Sequence, residues 1–161
     1  MTLQAKRAFI EEVALRLETT GFPRMWGRVF AALLVAEPPE QTADDLTDTL
    51  HASRGSISTA TRALEQMNLI ERISKTGVRK DYFRNKPGAW PELMRKRNEA
   101  LTIMRDIAER GLELIDSDDP EVRLGLEEMR DFVAFFEQEL PGFLERWKRR
   151  RQELAPSRPP Q

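Results

Sequence analysis

Hydroxyl side chains and arginines are concentrated between residues 53 and 62, in the segment SRGSISTATR. Ser and Thr hydroxyls both donate and accept hydrogen bonds, while arginine donates in pairs to phosphate oxygens or to the edge of a guanine. Ordinary solvated helices carry the same residue types, because polar side chains are mostly exposed. The segment therefore becomes informative only through the elements that surround it.

The chain offers little material for catalysis. It contains no Cys and a single His, His51, and it has no glycine-rich phosphate loop and no metal-ligand spacing. A lone histidine cannot form a metal site without further ligands, so we expect His51 to be a capping or surface residue. The sequence therefore predicts no enzyme activity, no metal site and no cofactor.

Charge is distributed unevenly along the chain, although the net charge is only −1. Residues 53–100 carry eleven Lys and Arg against five Asp and Glu, a net charge of +6. The flanking segments are acidic, at −3 for residues 1–52 and −4 for residues 101–161. One basic block between two acidic flanks is typical of a single face that meets a polyanion.

A helix-turn-helix is predicted around the hydroxyl-rich segment. Thr42 and Asp45 have the spacing of a capping box, which predicts a short helix directly after them. A second helix follows with Ser53 as its N-cap, because apolar residues recur at a helical period from Ile57 to Met67. The candidate DNA contacts of this second helix are Ser53, Arg54, Ser56, Ser58, Thr59 and Arg62.

The hydrophobic pattern changes from helical to alternating after Asn68. The segments LIERIS and RKDYFR have the pattern of two strands, joined by a hairpin tip at residues 75–78. A helix-turn-helix followed by a basic hairpin is a winged helix, and this order of elements is more specific than any one of its parts. We expect Lys75, Arg79 and Lys80 to lie along the adjacent DNA backbone or minor groove.

Amphipathic helices are predicted on both sides of the winged helix. The N-terminal helix carries the apolar stripe Ile10, Val13 and Leu17. Two long helices follow Pro87, and we expect the second in two pieces because Pro141-Gly142 interrupts it. Its apolar residues, spaced alternately by four and three, form a coiled-coil-like seam of Val122, Leu126, Met129, Val133, Phe136, Leu140, Phe143 and Trp147. A monomer could not cover all of this apolar surface, so the pattern predicts a homodimer.

The expected fold is mainly α-helical with a small β-hairpin wing. The winged helix-turn-helix domain covers residues 22–90, and residues 1–21 and 91–154 form a helical dimerisation region. The tail at residues 155–161 is expected to be disordered. No apolar run is long enough to span a bilayer and the N-terminus lacks the features of a signal peptide, so we expect a soluble, cytoplasmic protein without membrane contact.

The winged-helix segment resembles the MarR-type transcription regulators and, within them, the GbsR-like branch. The resemblance is carried by Ser-Arg-Gly-Ser from residue 53, by Arg-Ala-Leu-Glu and Asn-Leu-Ile further on, and by the wing motif Gly-x-Arg-Lys-x-Tyr-Phe. It implies a homodimer that places two winged helices on a pseudo-palindromic operator, with repression as the mode of regulation and a small-molecule effector as a further partner. GbsR-like wings have an Asp where this chain has Val78, which leaves Arg79 without an ion pair at that position.

Two interpretations of the whole chain stay open at this point. In the first, it is a sequence-specific duplex-DNA-binding transcription regulator. In the second, the winged helix binds protein, which the basic block disfavours because a protein-binding face need not be positive. The aromatic residues are equally open, as core or as the lining of an effector cavity: Trp26, Phe30, Trp90, Phe132, Phe135 and Phe136.

Overall fold

The computed structural model describes residues 2–77, 79–117 and 119–154, which form two compact units divided after Leu93. The first unit contains α1 (Leu3–Glu18), α2 (Arg24–Leu34), β1 (Gln41–Thr42), α3 (Ala43–Leu50), α4 (Arg54–Gln66), β2 (Ile70–Ser74) and β3 (Asp81–Asn85). The chain continues through α5 (Ala89–Leu114) and α6 (Pro120–Leu154). This architecture confirms the predicted fold class. The tail predicted to be disordered lies outside the described residues, as does Val78.

The three strands form one antiparallel sheet in the order β1-β3-β2. Strands β2 and β3 are the predicted hairpin, with Ile73 opposite Tyr82. Strand β1 was not predicted, because two residues are too short to show any alternation. It pairs with the other edge of β3, where Thr42 lies opposite Tyr82, and this pairing attaches the start of α3 to the base of the wing.

Side-chain caps begin both helices of the helix-turn-helix. The Thr42 Oγ1 atom accepts a hydrogen bond from the Asp45 N–H at 3.1 Å, and Asp45 Oδ2 accepts one from the Thr42 N–H at 2.8 Å, so the predicted capping box is present. Hydrogen bonds from the Thr42 hydroxyl and then from its N–H lower the pKa of Asp45. Ser53 caps α4, and His51 ends α3 in the left-handed region at φ +47°.

The hydrophobic core of the first unit surrounds α2. Val29 and Phe30 of α2 are buried with apolar residues of α3, α4 and the sheet, and the Phe30 ring packs edge-on against Trp90 at a centroid distance of 6.2 Å. Helix α1 packs closely on α2 at Gly27, where a Cβ atom would lie only 3.0 Å from the Ala14 Cα atom of α1. Residues 1–21 therefore fold with the first unit, and their part in a dimer stays a prediction.

Helices α5 and α6 pair antiparallel in the second unit. Thr102 and Arg105 of α5 both bond to Glu137 of α6, while a Cβ atom on Gly111 would lie 2.8 Å from the Leu126 Cδ1. Helix α6 is continuous through Pro141, so the prediction of two separate pieces is wrong. Proline removes only one backbone hydrogen bond there, and the helix continues on either side of it.

Candidate nucleic-acid interface

The exposed face of α4 carries the predicted base contacts. Ile57 and Leu64 are fully buried, whereas Ser58, Thr59 and Arg62 are exposed on the opposite side of the helix. Arg62 donates from Nε to the Ser58 carbonyl of its own helix at 3.2 Å. Within the described parts of the chain, no ion pair engages Arg62, and the Ser58 and Thr59 hydroxyls make no hydrogen bond. All three side chains are thus available to base edges or phosphates.

The first turn of α4 uses its hydroxyls differently. The Ser53 Oγ atom accepts a hydrogen bond from the Ser56 N–H at 3.1 Å, and the two hydroxyls lie 2.9 Å apart. The Ser53 side chain therefore caps the helix, and the Ser56 hydroxyl lies against that cap. The N–H groups of a helix N-terminus and the helix dipole favour an anion nearby, so this end of α4 suits a phosphate better than a base edge.

The wing cations fall into two groups according to their partners. Lys75 Nζ lies 2.6 Å from Glu40 Oε2 and 4.2 Å from the centroid of the Tyr82 ring. The hydrogen bond between Lys75 and Glu40 raises the pKa of Lys75 and lowers the pKa of Glu40. Arg79 is exposed, and no carboxylate pairs with it among the residues that the structure describes. Of these two cations, Arg79 is the better placed to bind phosphate.

Arg54 and Lys80 share a carboxylate that sequence reasoning missed. Asp44, in the first turn of α3, places Oδ1 2.9 Å from Arg54 Nη2 and Oδ2 3.2 Å from Lys80 Nζ. No local pattern indicates this contact, because Asp44 and Lys80 are 36 residues apart and the β1–β3 pairing brings them together. Glu40 was missed for the same reason.

The geometry of the first unit suits polyanion binding. Exposed hydroxyls and cations occupy α4 and the wing, and the acidic side chains among them are paired with those cations. Within residues 2–77, 79–117 and 119–154, no three His, Asp or Glu side chains are grouped so that they could hold a metal ion. No helix of this part is both long and apolar enough to cross a membrane.

The predicted dimerisation residues differ in exposure. Ile10, Val133 and Leu140 are buried within the chain, so their side chains are unavailable to a second subunit. Val133 and Leu140 lie on the α6 face that also carries Leu126 and Glu137, which both contact α5. The remaining members are exposed or partly exposed, and their contact with a partner stays a prediction: Val13, Leu17, Val122, Leu126, Met129, Phe136 and Phe143.

A second apolar row on the α5–α6 pair was not predicted as a contact surface. Phe132 and Phe135 are each 62% exposed on α6. Ile107 immediately precedes the buried Ala108 on α5, just as Phe132 immediately precedes the buried Val133 on α6. In an antiparallel helix pair, residues that precede the facing residues by one position lie on the same side of the pair, so Ile107 and Phe132 share one surface. We call this surface the apolar row, and its members are Ile103, Ile107, Leu114, Leu124, Phe132 and Phe135.

Known proteins are similar to this chain in sequence and in fold. A family model described as MmpR5-like MarR family transcriptional regulator matches residues 88–151. The HTH-type transcriptional regulator MmpR5 of Mycobacterium tuberculosis is 35% identical over 142 residues, which are 88% of this chain and 86% of MmpR5. The HTH-type transcriptional repressor GbsR of Bacillus subtilis is 26% identical over 80 residues, 50% of this chain and 43% of GbsR. A crystal structure of a transcriptional regulator, 34% identical, covers 90% of this chain and 99% of its own with a TM-score of 0.76.

The helix-turn-helix, the wing and these relatives define a winged-helix transcription regulator, a class that is not enzymatic. The chain belongs to the MarR family of transcription regulators, and its similarity to MmpR5 extends over most of its length. The resemblance identified from the sequence is confirmed. The family model matches mainly α5 and α6, whereas the sequence motifs that carried the resemblance lie in the winged helix.

Proposed function

We propose that this MarR-type regulator represses transcription in the cytoplasm by binding a specific duplex operator as a homodimer. The observation that carries the proposal is the exposed face of Ser58, Thr59 and Arg62 on α4, together with the exposed Arg79 of the wing. Base contacts from α4 supply sequence preference, while cations on phosphates supply affinity. Repression is supported by the relative GbsR of Bacillus subtilis, which is named a transcriptional repressor.

The apolar row supports the homodimer. Large aromatic side chains rarely remain uncovered in a soluble protein when several lie together, and such patches mark interaction surfaces. A second copy related by a two-fold axis covers the row with its own. The dimer then presents two α4 helices to a pseudo-palindromic operator with half-sites about one helical turn apart.

A small-molecule effector is the remaining partner in the proposal. An open cleft of about 360 Å³ on the α5–α6 pair is lined by Met94, Phe136, Leu140 and Phe143, with Glu139 and Arg146 beside them. Apolar walls with a few charged groups are typical of sites for small organic molecules. An effector there would alter DNA affinity only by binding one state of the dimer more tightly than another.

Selection from a randomised duplex library tests the proposed function. Wild-type protein is incubated with duplexes at one fixed salt concentration, and the bound fraction is sequenced after several rounds. We expect a pseudo-palindromic motif, bound about 1,000-fold or more tightly than a scrambled duplex. A library that stays random while the protein retains a protein partner in a pull-down would favour the protein-interaction module instead.

The wing should contribute salt-dependent affinity through Arg79. Arg79→Ala should reduce the slope of log K against log [salt] by about 2 per dimer, because each subunit loses one phosphate contact worth about 0.9. Lys75→Ala is the matched control, since Glu40 already neutralises that lysine, and it should change the slope by less than half as much. Equal slopes for both variants and the wild type would remove the wing from the interface.

A further inference from the structure

Asp44 is an acidic residue placed between cations from two DNA-binding elements. Its carboxylate bonds to Arg54 at the start of α4 and to Lys80 at the end of the wing, at 2.9 and 3.2 Å. The side chain of Asp44 is 45% exposed, that of Arg54 is 81% exposed and that of Lys80 is 61% exposed, so the cluster lies open to solvent. An open cleft of about 230 Å³ beside it is lined by Thr42, Asp44, Lys80 and Phe83 among others.

The backbone holds this carboxylate in place. Thr42 pairs with Tyr82 of β3 and caps α3, so Asp44 is attached to the sheet two residues after a strand. A carboxylate in the first turn of a helix is also stabilised by the helix dipole. Asp44 is therefore a well-positioned charge, whereas Arg54 and Lys80 have long side chains that take their orientation from it.

We propose that Asp44 is a specificity-determining positioning residue for the operator. It holds the Arg54 and Lys80 side chains in one arrangement relative to each other. Its negative charge disfavours phosphate binding by these cations when they are arranged in any other way. The inference rests on the proposed DNA binding, and it adds to that function a residue whose charge opposes DNA binding in general.

Asp44 acts mainly on non-specific complexes. Binding to an arbitrary sequence depends on phosphate contacts, and unrestrained arginines and lysines find phosphates in many registers. With Asp44 present, Arg54 and Lys80 serve two phosphates together only when α4 and the wing dock in one relative position. In other registers, a phosphate that reaches either cation also meets the carboxylate, and like charges at such distances repel. Asp44 thus weakens non-specific binding more than operator binding.

Asp44→Asn and Asp48→Asn provide a charge-matched test. Both residues lie in α3 and both changes remove one negative charge, but Asp48 is exposed and makes no ion pair within the described residues. The affinities for the selected operator and for a scrambled duplex of equal length are measured across a series of salt concentrations. Asp44→Asn should bind the scrambled duplex on the order of 5- to 10-fold more tightly, with a salt slope steeper by about 1–2.

The expected signature is a loss of discrimination rather than a loss of binding. Operator affinity of Asp44→Asn should change about twofold or less, so the ratio of the two affinities falls roughly fivefold, while Asp48→Asn keeps the wild-type ratio. Asp44→Glu retains the charge and should restore most of the ratio between operator and scrambled-duplex affinity. This variant keeps the test valid even when a thermal melt shows that Asp44→Asn is poorly folded. An unchanged ratio in Asp44→Asn, or equal ratios in both Asn variants, overturns the inference. A wild-type protein that does not discriminate between the duplexes overturns the proposed function as well.

Discussion

Replacing Phe132 and Phe135 together by Glu should convert the proposed dimer into monomers and weaken binding to the proposed operator about 100-fold or more. Both side chains are 62% exposed in the single chain, so their loss leaves the subunit core intact. Burial of each against a partner is worth about 1.5–3 kcal/mol, and each subunit contributes two. Sedimentation velocity at micromolar concentration measures the first effect, and operator titration measures the second.

Gln138→Glu is the control for the dimer prediction. It adds a carboxylate to an exposed position of the same helix without removing an apolar contact, so it should leave both the dimer and the operator affinity unchanged. A double Phe variant that sediments as a dimer would show that the apolar row is not the dimer interface. The remaining exposed members of the predicted seam, such as Val122 and Phe143, would then be the next candidates.

Arg62→Ala should remove the preference for one base pair in each half-site of the selected motif. Arg62 is exposed on the outer face of α4 and has no carboxylate partner in the described part of the chain, so its guanidinium is available to a guanine edge. The loss should cost about 1–3 kcal/mol at that position and spare distant positions. Because the proposed two-fold dimer would carry the change twice, the altered preference should appear symmetrically in both half-sites. Library selection with the variant at the wild-type salt concentration measures this effect.

Ile57→Ala separates altered specificity from general damage. Ile57 is fully buried in the same helix, so its truncation should lower the free energy of unfolding by about 2–5 kcal/mol and leave the selected motif unchanged. Motifs that are identical for wild type and Arg62→Ala, with weaker binding only, would mean that Arg62 binds the backbone. Thr59, exposed one turn before Arg62, would then be the remaining candidate for base recognition on this face.

Ion pairs already present in the free protein shape how DNA would be bound. Lys75, Lys80 and Arg54 each have a carboxylate partner, so phosphate must compete with Glu40 or Asp44 for them. The two Asp44 pairs are exposed and the Lys75–Glu40 pair is partly exposed, and such surface pairs contribute little to stability. Their effect is therefore expected in affinity, salt dependence and discrimination between duplexes, and much less in the free energy of unfolding.

Local signals in the sequence were sufficient for most of the fold. The capping box at Thr42, the Ser53 cap and the alternation on either side of residues 75–78 each depend on neighbours within a few positions, and all are present in the structure. The hydroxyl-rich face of α4 follows from the same periodicity, because burial of Ile57 and Leu64 turns residues 58, 59 and 62 outward.

Other features depended on contacts between distant segments. Strand β1 forms only by pairing with the free edge of β3. This β1–β3 pairing also brings Asp44 within hydrogen-bond distance of Lys80. Spacing along α6 identified an apolar seam but not what covers it: Val133 and Leu140 are buried within the chain, whereas Phe132 and Phe135 are left exposed. A helical pattern specifies which residues share a face. The partner of that face is decided by tertiary packing, because α5 pairs with α6 over one side and leaves the other uncovered.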